Sequence, residues 1–280
     1  MTLTAVDVGP LPVDSRARRL RAYRSMARTA LRSLLAYQAS FLFGMLASAF
    51  AALSMLYLWQ SVLAAGPRQG FDWPQMKAYL LVAFVAGSLV SSYTDYRMAN
   101  RIRQGEVAID LVRPVDYQWS RFAESAGFAV YEAATAIVVA LAAAALLGGV
   151  PPPDPDTFWL FVISALLVFP LRFGIVYVSG LLVFWTQNYV GVQAARIALI
   201  TLLSGALVPL AFLPEWIQVA STYLPFTGMA ATPALLYSGS LHGTAAITPV
   251  VVQAVWAVGL WILARGMWST ACRKLTVHGG

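Results

Sequence analysis

The chain has 280 residues, of which 59% are hydrophobic and only 11% are charged, less than half of the ~25% typical of a soluble domain. Residues 33–67, 133–153, 173–195 and 216–264 contain no charged residue, and an uncharged apolar run of about 20 residues is what a helix needs to cross a membrane. Composition therefore indicates a polytopic membrane protein and excludes a soluble or disordered chain and nucleic-acid binding, despite a net charge of +7.

The amino-terminal region precedes the first apolar run and is strongly basic. Residues 1–15 are predicted to form a flexible tail, and residues 16–36 an amphipathic helix at the membrane surface. Its arginine row consists of Arg21, Arg24, Arg28 and Arg32. Such a helix suits a surface of anionic headgroups, so membrane lipids are an expected partner. A charge cluster that only sets the membrane topology is the alternative.

Six apolar segments are predicted to span the membrane as helices. They cover about residues 39–63, 75–92, 122–147, 157–185, 191–212 and 247–264. Pro170 lacks a backbone N–H and is expected to kink the fourth segment. The six segments form a predicted transmembrane domain over residues 37–267, and residues 268–280 follow as a cytoplasmic tail.

Basic residues are concentrated in alternate connections between these segments. Seven arginines precede the first predicted span and five lie between the second and the third, whereas the connection between the third and the fourth carries only Asp154 and Asp156. Loops that are rich in lysine and arginine remain in the cytoplasm. We therefore predict an even number of spans with both termini cytoplasmic.

The stretch between the fifth and sixth predicted spans, residues 213–239, is apolar but interrupted by prolines. It is too apolar for a solvated loop and too broken for a complete span. We predict short helices that enter the outer leaflet and return. The residues assigned to this re-entrant segment are Pro214, Glu215, Trp216, Pro225 and Phe226. An additional span is the alternative, but it would place the basic carboxyl-terminal end outside the cell.

Motifs of catalysis and cofactor binding are absent from the sequence. It contains no nucleotide-binding G-x-x-x-x-G-K-[ST] loop, no H-E-x-x-H and no G-x-S-x-G. A single cysteine, Cys272, excludes an intramolecular disulfide and a thiolate metal cluster. We expect a non-enzymatic chain that binds no metal, cofactor or nucleic acid.

The segment between the second and third predicted spans, residues 95–121, combines charges of both signs with interleaved apolar residues. Gly105 and Pro114 bracket a predicted short helix of about two turns. Charges of both signs suit a protein partner better than a lipid surface. A solvated loop is the alternative.

Three stretches of sequence occur in a distinctive order and spacing. They are RQGEVAIDLVRPVDY at 103–117, FWTQNYVGV at 184–192, and SGALVPLAFLPEWI at 204–217 followed by LPF at 224–226. Together they resemble the membrane subunits of ABC-2 type transporters, in the bacterial branch whose two permeases accompany a separate ATPase. The resemblance extends over about residues 20–275.

The resemblance implies an all-α membrane protein with the type-2 ABC exporter fold. That fold has an amino-terminal interfacial helix, six transmembrane helices, a cytoplasmic coupling helix and extracellular re-entrant helices. The coupling helix would dock on a cytoplasmic ABC ATPase subunit, which would hold ATP and magnesium. The residues assigned to docking are Gly105, Glu106, Leu111, Arg113 and Pro114.

The resemblance also implies a functional setting. A second permease, identical or related, would complete the translocation path in a bacterial plasma membrane, and the cargo would be amphiphilic, lipid-like or drug-like. An ion-coupled secondary transporter and a membrane assembly factor without transport activity are the alternatives.

Two charged residues fall inside predicted spans. Glu132 lies about 11 residues into the third span from the inside and Arg172 about 15 residues into the fourth from the outside, so the two share a depth at 1.5 Å of rise per residue. An unpaired charge inside a membrane is costly. We predict that they form an ion pair, which either locks the two spans or lines a polar substrate path.

Overall fold

The computed structural model describes residues 16–35, 38–89, 92–112, 114–186 and 188–273. Within these ranges all regular secondary structure is helical, which confirms the predicted all-α class. The first six α-helices are α1 (Arg16–Leu35), α2 (Gln38–Leu63), α3 (Trp73–Gly87), α4 (Ser92–Arg103), α5 (Val107–Leu111) and α6 (Tyr117–Leu146). The remaining six are α7 (Phe158–Leu181), α8 (Val183–Thr186), α9 (Tyr189–Leu203), α10 (Glu215–Tyr223), α11 (Ala231–Tyr237) and α12 (Thr244–Cys272).

In the described part of the chain, four helical stretches are long and apolar enough to cross a membrane. They are Leu42–Leu63, Tyr117–Leu146, Phe158–Thr186 and Thr244–Cys272. The helices at the second and fifth predicted spans, α3 and α9, have 15 residues each. At 1.5 Å per residue each covers about 22 Å of a hydrocarbon core of about 30 Å. That α3 and α9 also cross the membrane, which would make six spans, therefore remains a prediction.

Helix α3 begins with strong local signals and ends at a charged contact. Asp72 and Gln75 form a reciprocal capping box at its first turn. At its other end, the Nη1 atom of Arg172 donates a hydrogen bond to the Ala86 carbonyl oxygen at 3.3 Å. A cation beside the last carbonyl groups of a helix is favourable. The prediction that this helix continues to residue 92 was therefore too long.

Helix α9 ends nine residues before the predicted boundary at residue 212. Gly205 has φ +73°, a left-handed conformation that stops an α-helix and favours glycine. The hydroxyl group of Tyr79 donates to the Gly205 carbonyl oxygen at 2.7 Å, and the Ala231 N–H donates to the Ser204 carbonyl oxygen at 3.0 Å. These contacts satisfy backbone groups that the ended helix leaves without partners.

Two helix pairs make the most extensive contacts between elements. One pair is α7 with α12, and the other is α1 with α6. In the second pair, a Cβ atom added to Gly127 would overlap the Ala27 carbonyl oxygen. The backbones of the amino-terminal helix α1 and of α6 are therefore in close contact at this point.

Candidate coupling surface

The α5 segment, defined as residues 104–116, connects α4 to α6 through two sharp turns. Gly105 has φ +73°, and its N–H donates to the Ile102 carbonyl oxygen at 3.2 Å just after α4. This left-handed glycine reverses the chain so that α5 folds back beside α4. The segment ends at Asp116, which caps the first turn of α6.

Among the described side chains of α5, Val107 is the apolar residue that anchors the helix in the protein. Val107 is completely buried and packs in a cluster that includes Ile102 from α4 and Tyr117 from α6. The same cluster includes Tyr177 from α7 and Ala264 from α12. Because a five-residue helix is not stable by itself, this anchoring is what holds α5 in place.

A charged residue of α5 is buried beside Val107. The side chain of Asp110 is only 4% exposed, and its Oδ2 atom lies 2.9 Å from Nη2 of Arg101 in α4. The Nη1 atom of Arg101 lies 3.8 Å from Oε2 of Glu106. Burial of a carboxylate requires such a partner, so this ion pair fixes the orientation of α5.

A second ion-pair cluster connects α4 to the first turns of α6. Arg97 lies 3.2 Å from Oε1 of Glu124, and Arg121 lies 2.8 Å from the other oxygen of the same carboxylate. The guanidinium of Arg121 also lies over the ring of Tyr117 at 5.3 Å. The helices on both sides of the α5 segment are therefore held together by paired charges.

The carboxyl-terminal part of the α5 segment exposes apolar side chains. Ile109, Leu111 and Val112 are 62%, 47% and 85% exposed. Isolated exposed apolar residues are ordinary, but these three fall within four positions of the chain. We call these three residues the apolar tip. Exposed apolar residues in a segment that also carries charges are typical of a protein docking site.

Asp116 connects the α5 segment to three helices. Its Oδ1 atom accepts a hydrogen bond from the Trp119 N–H at 2.9 Å, and its Oδ2 atom accepts one from Nη1 of Arg265 in α12 at 2.9 Å. Its own N–H donates to the hydroxyl group of Tyr23 in α1 at 3.2 Å. Displacement of this residue would therefore be transmitted to α1, α6 and α12 together.

A family profile for an ABC-2 family transporter protein matches residues 43–279, which is most of the chain. The chain belongs to the ABC-2 transporter family. The match confirms the resemblance found in the sequence and identifies a multi-pass transport permease of this type. No curated protein matches the permease.

The residues predicted for docking lie in one stretch of the permease, and their role remains a prediction. Gly105 forms the turn before α5, Glu106 lies at its start, Leu111 belongs to the apolar tip, and Pro114 is exposed after it. Arg113 lies outside the described residues.

Sequence reasoning missed two parts of this surface. Ile109 and Val112 were not assigned to docking, and the buried pair of Arg101 with Asp110 was not foreseen. The available signal was an apolar residue on each side of Asp110 within a polar segment. That pattern indicates a helix with one charged and one apolar side but does not say which side is buried.

Arg172 and Glu132, the two charged residues inside predicted spans, have contacts beyond the predicted ion pair. Arg172 donates to Ala86 and is close enough to Glu132 for the two to interact electrostatically. Glu132 lines a 310 Å³ cavity between α2, α3 and α6, together with Ser48 and Thr135. The ion pair of Glu132 with Arg172 remains a prediction.

A further intramembrane arginine was missed. Arg196 lies in the middle of α9, where it is buried. Its Nη1 atom donates to the hydroxyl group of Ser179 in α7 at 2.8 Å. The sequence signal was a single arginine in an otherwise apolar helix, which is a costly position without a partner.

The predicted re-entrant residues lie in the α11 segment, defined as residues 213–239. Pro214 precedes α10, Glu215 and Trp216 begin it, and Pro225 and Phe226 precede a 3₁₀ turn at Thr227–Met229. Helix α11 follows and packs against α3 and α7. The segment thus consists of short helices, while its entry into the outer leaflet remains a prediction.

The α11 segment is held by a buried amide. In α12, the Oε1 atom of Gln253 accepts from the Ser164 hydroxyl at 2.8 Å, and its Nε2 atom donates to the Gly228 carbonyl oxygen at 2.9 Å. The same nitrogen donates to the Ser164 carbonyl oxygen at 2.9 Å.

Within the described ranges, no group of three His, Cys, Asp or Glu residues is arranged to hold a metal.

Proposed function

We propose that this ABC-2 permease is the membrane subunit of an ATP-driven exporter, and that a separate cytoplasmic ATPase, which binds ATP and magnesium, docks on α5. The observation that carries the proposal is the apolar tip, Ile109, Leu111 and Val112, exposed on a short helix. Exposed apolar residues in a segment that carries charges of both signs favour a protein partner, which can cover the apolar residues and pair with the charges.

The anchoring of α5 supports a role in transmitting movement. Val107 and Asp110 attach the helix to α4 and to the cluster formed with α6, α7 and α12. A short helix fixed in this way moves with its neighbours as a rigid body and does not unwind when it is pulled. Closure of the ATPase would therefore change the angles of several helices at once.

Contacts at the two ends of the helices support six spans with both termini cytoplasmic. Arg265 near the end of α12 pairs with Asp116 at the start of α6, so these two ends share a side of the membrane. Lys77 in the first turns of α3 donates to the Leu147 carbonyl oxygen at the end of α6, at 2.9 Å. The basic loops favour the cytoplasm for the first side, and the membrane we propose is a bacterial plasma membrane.

Exposed apolar faces support a second permease, identical or related. On α2, Phe43 and Phe50 are largely exposed, and in α9 only Tyr189 and Arg196 are buried. Helices that bury so little within one chain suit an interface with another permease. A path lined by apolar faces would suit amphiphilic, lipid-like or drug-like cargo.

The test is whether the apolar tip is needed for association with the ATPase. We expect Ile109→Asp to abolish co-purification of the permease with the ATPase and to uncouple ATP hydrolysis from transport. The matched control is Gln104→Asp, which adds the same charge at an exposed position of the same segment. Wild-type association of Ile109→Asp, or ATP-independent transport by the purified permease, would contradict the proposal.

A further inference from the structure

We propose that the arginine row of α1 binds the headgroups of anionic phospholipids, and that bound lipid stabilises the α5 segment through Tyr23. Helix α1 contains seven arginines and no acidic residue. Arg21, Arg24, Arg28 and Arg32 recur every three or four residues, so they form one row along the helix, and all four are exposed. An exposed row of positive charge is complementary to phosphate headgroups.

The opposite side of α1 is committed to the protein. Tyr23, Ala27, Ala30 and Leu34 recur at the same spacing half a turn away, and Ala30 is buried. Ala27 makes the close backbone approach to Gly127 in α6. The arginine row therefore faces away from the helices that α1 packs on, and Glu124 of α6 is engaged by Arg97 and Arg121.

An apolar flank beside the arginine row indicates where the membrane lies. Leu20 is 69% exposed and falls between the packing side and the row. A leucine in contact with the acyl boundary, next to arginines at headgroup level, is the geometry of a helix lying in the interface. The long arginine side chains can extend from this position to the phosphate groups.

The same helix contacts the α5 segment directly. The Tyr23 hydroxyl group accepts the Asp116 N–H, and Met26 lines a small cavity together with Asp110 and Arg121. Lipid that holds α1 against the membrane surface would therefore hold Tyr23 against Asp116. This makes the order of the α5 segment dependent on lipid charge.

The binding step is tested on the purified chain in a neutral detergent, without an ATPase. Phosphatidylglycerol or phosphatidylcholine is titrated, and bound lipids are counted by native mass spectrometry. We expect preferential binding of phosphatidylglycerol, weakened about fivefold by Arg28→Gln, by more than about tenfold by the double variant Arg24→Gln/Arg28→Gln, and little by Arg28→Lys. The matched control is Arg68→Gln, which removes an exposed arginine from the connection between α2 and α3.

Equal binding of the two lipids, or an equal loss in Arg28→Gln and Arg68→Gln, would overturn the lipid site. If the row instead meets an acidic protein surface, Arg28→Gln would lose ATPase association and keep its affinity for phosphatidylglycerol, and that result would also overturn it. Because the lipid measurement uses the permease alone, it is independent of whether the proposed ATPase docking holds.

The transmission step is tested by amide hydrogen exchange. We expect phosphatidylglycerol to slow exchange of the Asp116 amide by roughly three- to tenfold, the protection that one hydrogen bond supplies. Tyr23→Phe removes the acceptor, so it should bind the lipid normally without this slowing. Slowing that persists in Tyr23→Phe, or its absence in the wild type, would contradict the role of Tyr23.

Discussion

The α5 segment and the α11 segment are both short, broken connections, but the protein holds them in opposite ways. In the α5 segment a buried ion pair and one valine face inward, while the apolar tip faces outward. In the α11 segment the helix α11 itself faces inward. The buried residues of this helix are Ala231, Thr232, Pro233, Ala234 and Leu236.

This difference leaves apolar side chains of the α5 segment exposed, whereas those of helix α11 are mostly covered by the protein itself. Neither α5 nor α11 is long enough to be stable alone, so each depends on tertiary contacts. Helix α11 uses most of its apolar residues for these contacts. Helix α5 uses Val107 and the Arg101–Asp110 pair instead, which leaves its remaining apolar residues available for binding.

Removal of the buried carboxylate should have the largest effect on stability. We expect Asp110→Ala to lower the free energy of unfolding by about 3 kcal/mol, because Arg101 is partly buried and loses its 2.9 Å ion pair, while its contact with Glu106 is longer at 3.8 Å. Denaturant unfolding of the purified chain measures this loss. Gln104→Ala, exposed in the same segment, should stay within about 0.5 kcal/mol. Equal stability of the two variants would mean that charges do not hold the α5 segment.

The close contact between the backbones of α1 and α6 supports the α5 segment. We expect Gly127→Ala to destabilise the protein by about 2 kcal/mol, because its new Cβ would overlap the Ala27 carbonyl oxygen and displace α1. Gly259→Ala is the matched control in α12, where a Cβ meets no atom within 4 Å, and it should be neutral or stabilising by up to about 1 kcal/mol. Thermal unfolding of both variants in one detergent checks the difference, and a neutral Gly127→Ala would contradict the tight packing.

The α11 segment should be sensitive to loss of the buried side-chain amide of Gln253. We expect Gln253→Leu to cost about 1.5 kcal/mol, because the Ser164 hydroxyl and the Gly228 carbonyl lose their partner. Ser164→Ala removes only one of these bonds and should cost less. Thermal unfolding ranks the variants, and proteolysis after residue 213 reports local opening. A larger cost for Ser164→Ala would show that the amide is not the main link.

Substitution of exposed apolar residues should have the smallest effect on stability and should distinguish the two segments by function. We expect Leu111→Ser and Trp216→Ser each to change stability by less than about 0.5 kcal/mol, because both side chains are largely exposed. Only Leu111→Ser should weaken association with the ATPase, measured by co-purification. Equal weakening by both variants would remove the functional distinction between the segments.

The parts of the fold that could be predicted from the sequence are those that local composition decides. Helices α2, α6, α7 and α12 follow from long apolar runs with few charges, since such runs have few other stable arrangements in a membrane. The ends of α3 and α9 could not be predicted, because they depend on Arg172 and Tyr79, which come from distant parts of the chain.

From the sequence, only the position of the candidate site along the chain could be predicted. Gly105 and Pro114 correctly delimit a short helix, because both residues act on the backbone locally. The inward direction of Asp110 and the outward direction of Ile109 were not predictable. Over five residues the helical period does not decide which side is buried, and the deciding partner, Arg101, lies in another helix.

One carboxylate at Asp116 serves both as the cap of α6 and as the anion for Arg265. The stability of the first turn of α6 and the position of α12 are consequently coupled. Fraying of that turn weakens the hold on α12, and by reciprocity a shift of α12 favours fraying. Loss of this one carboxylate would therefore remove both contacts at once.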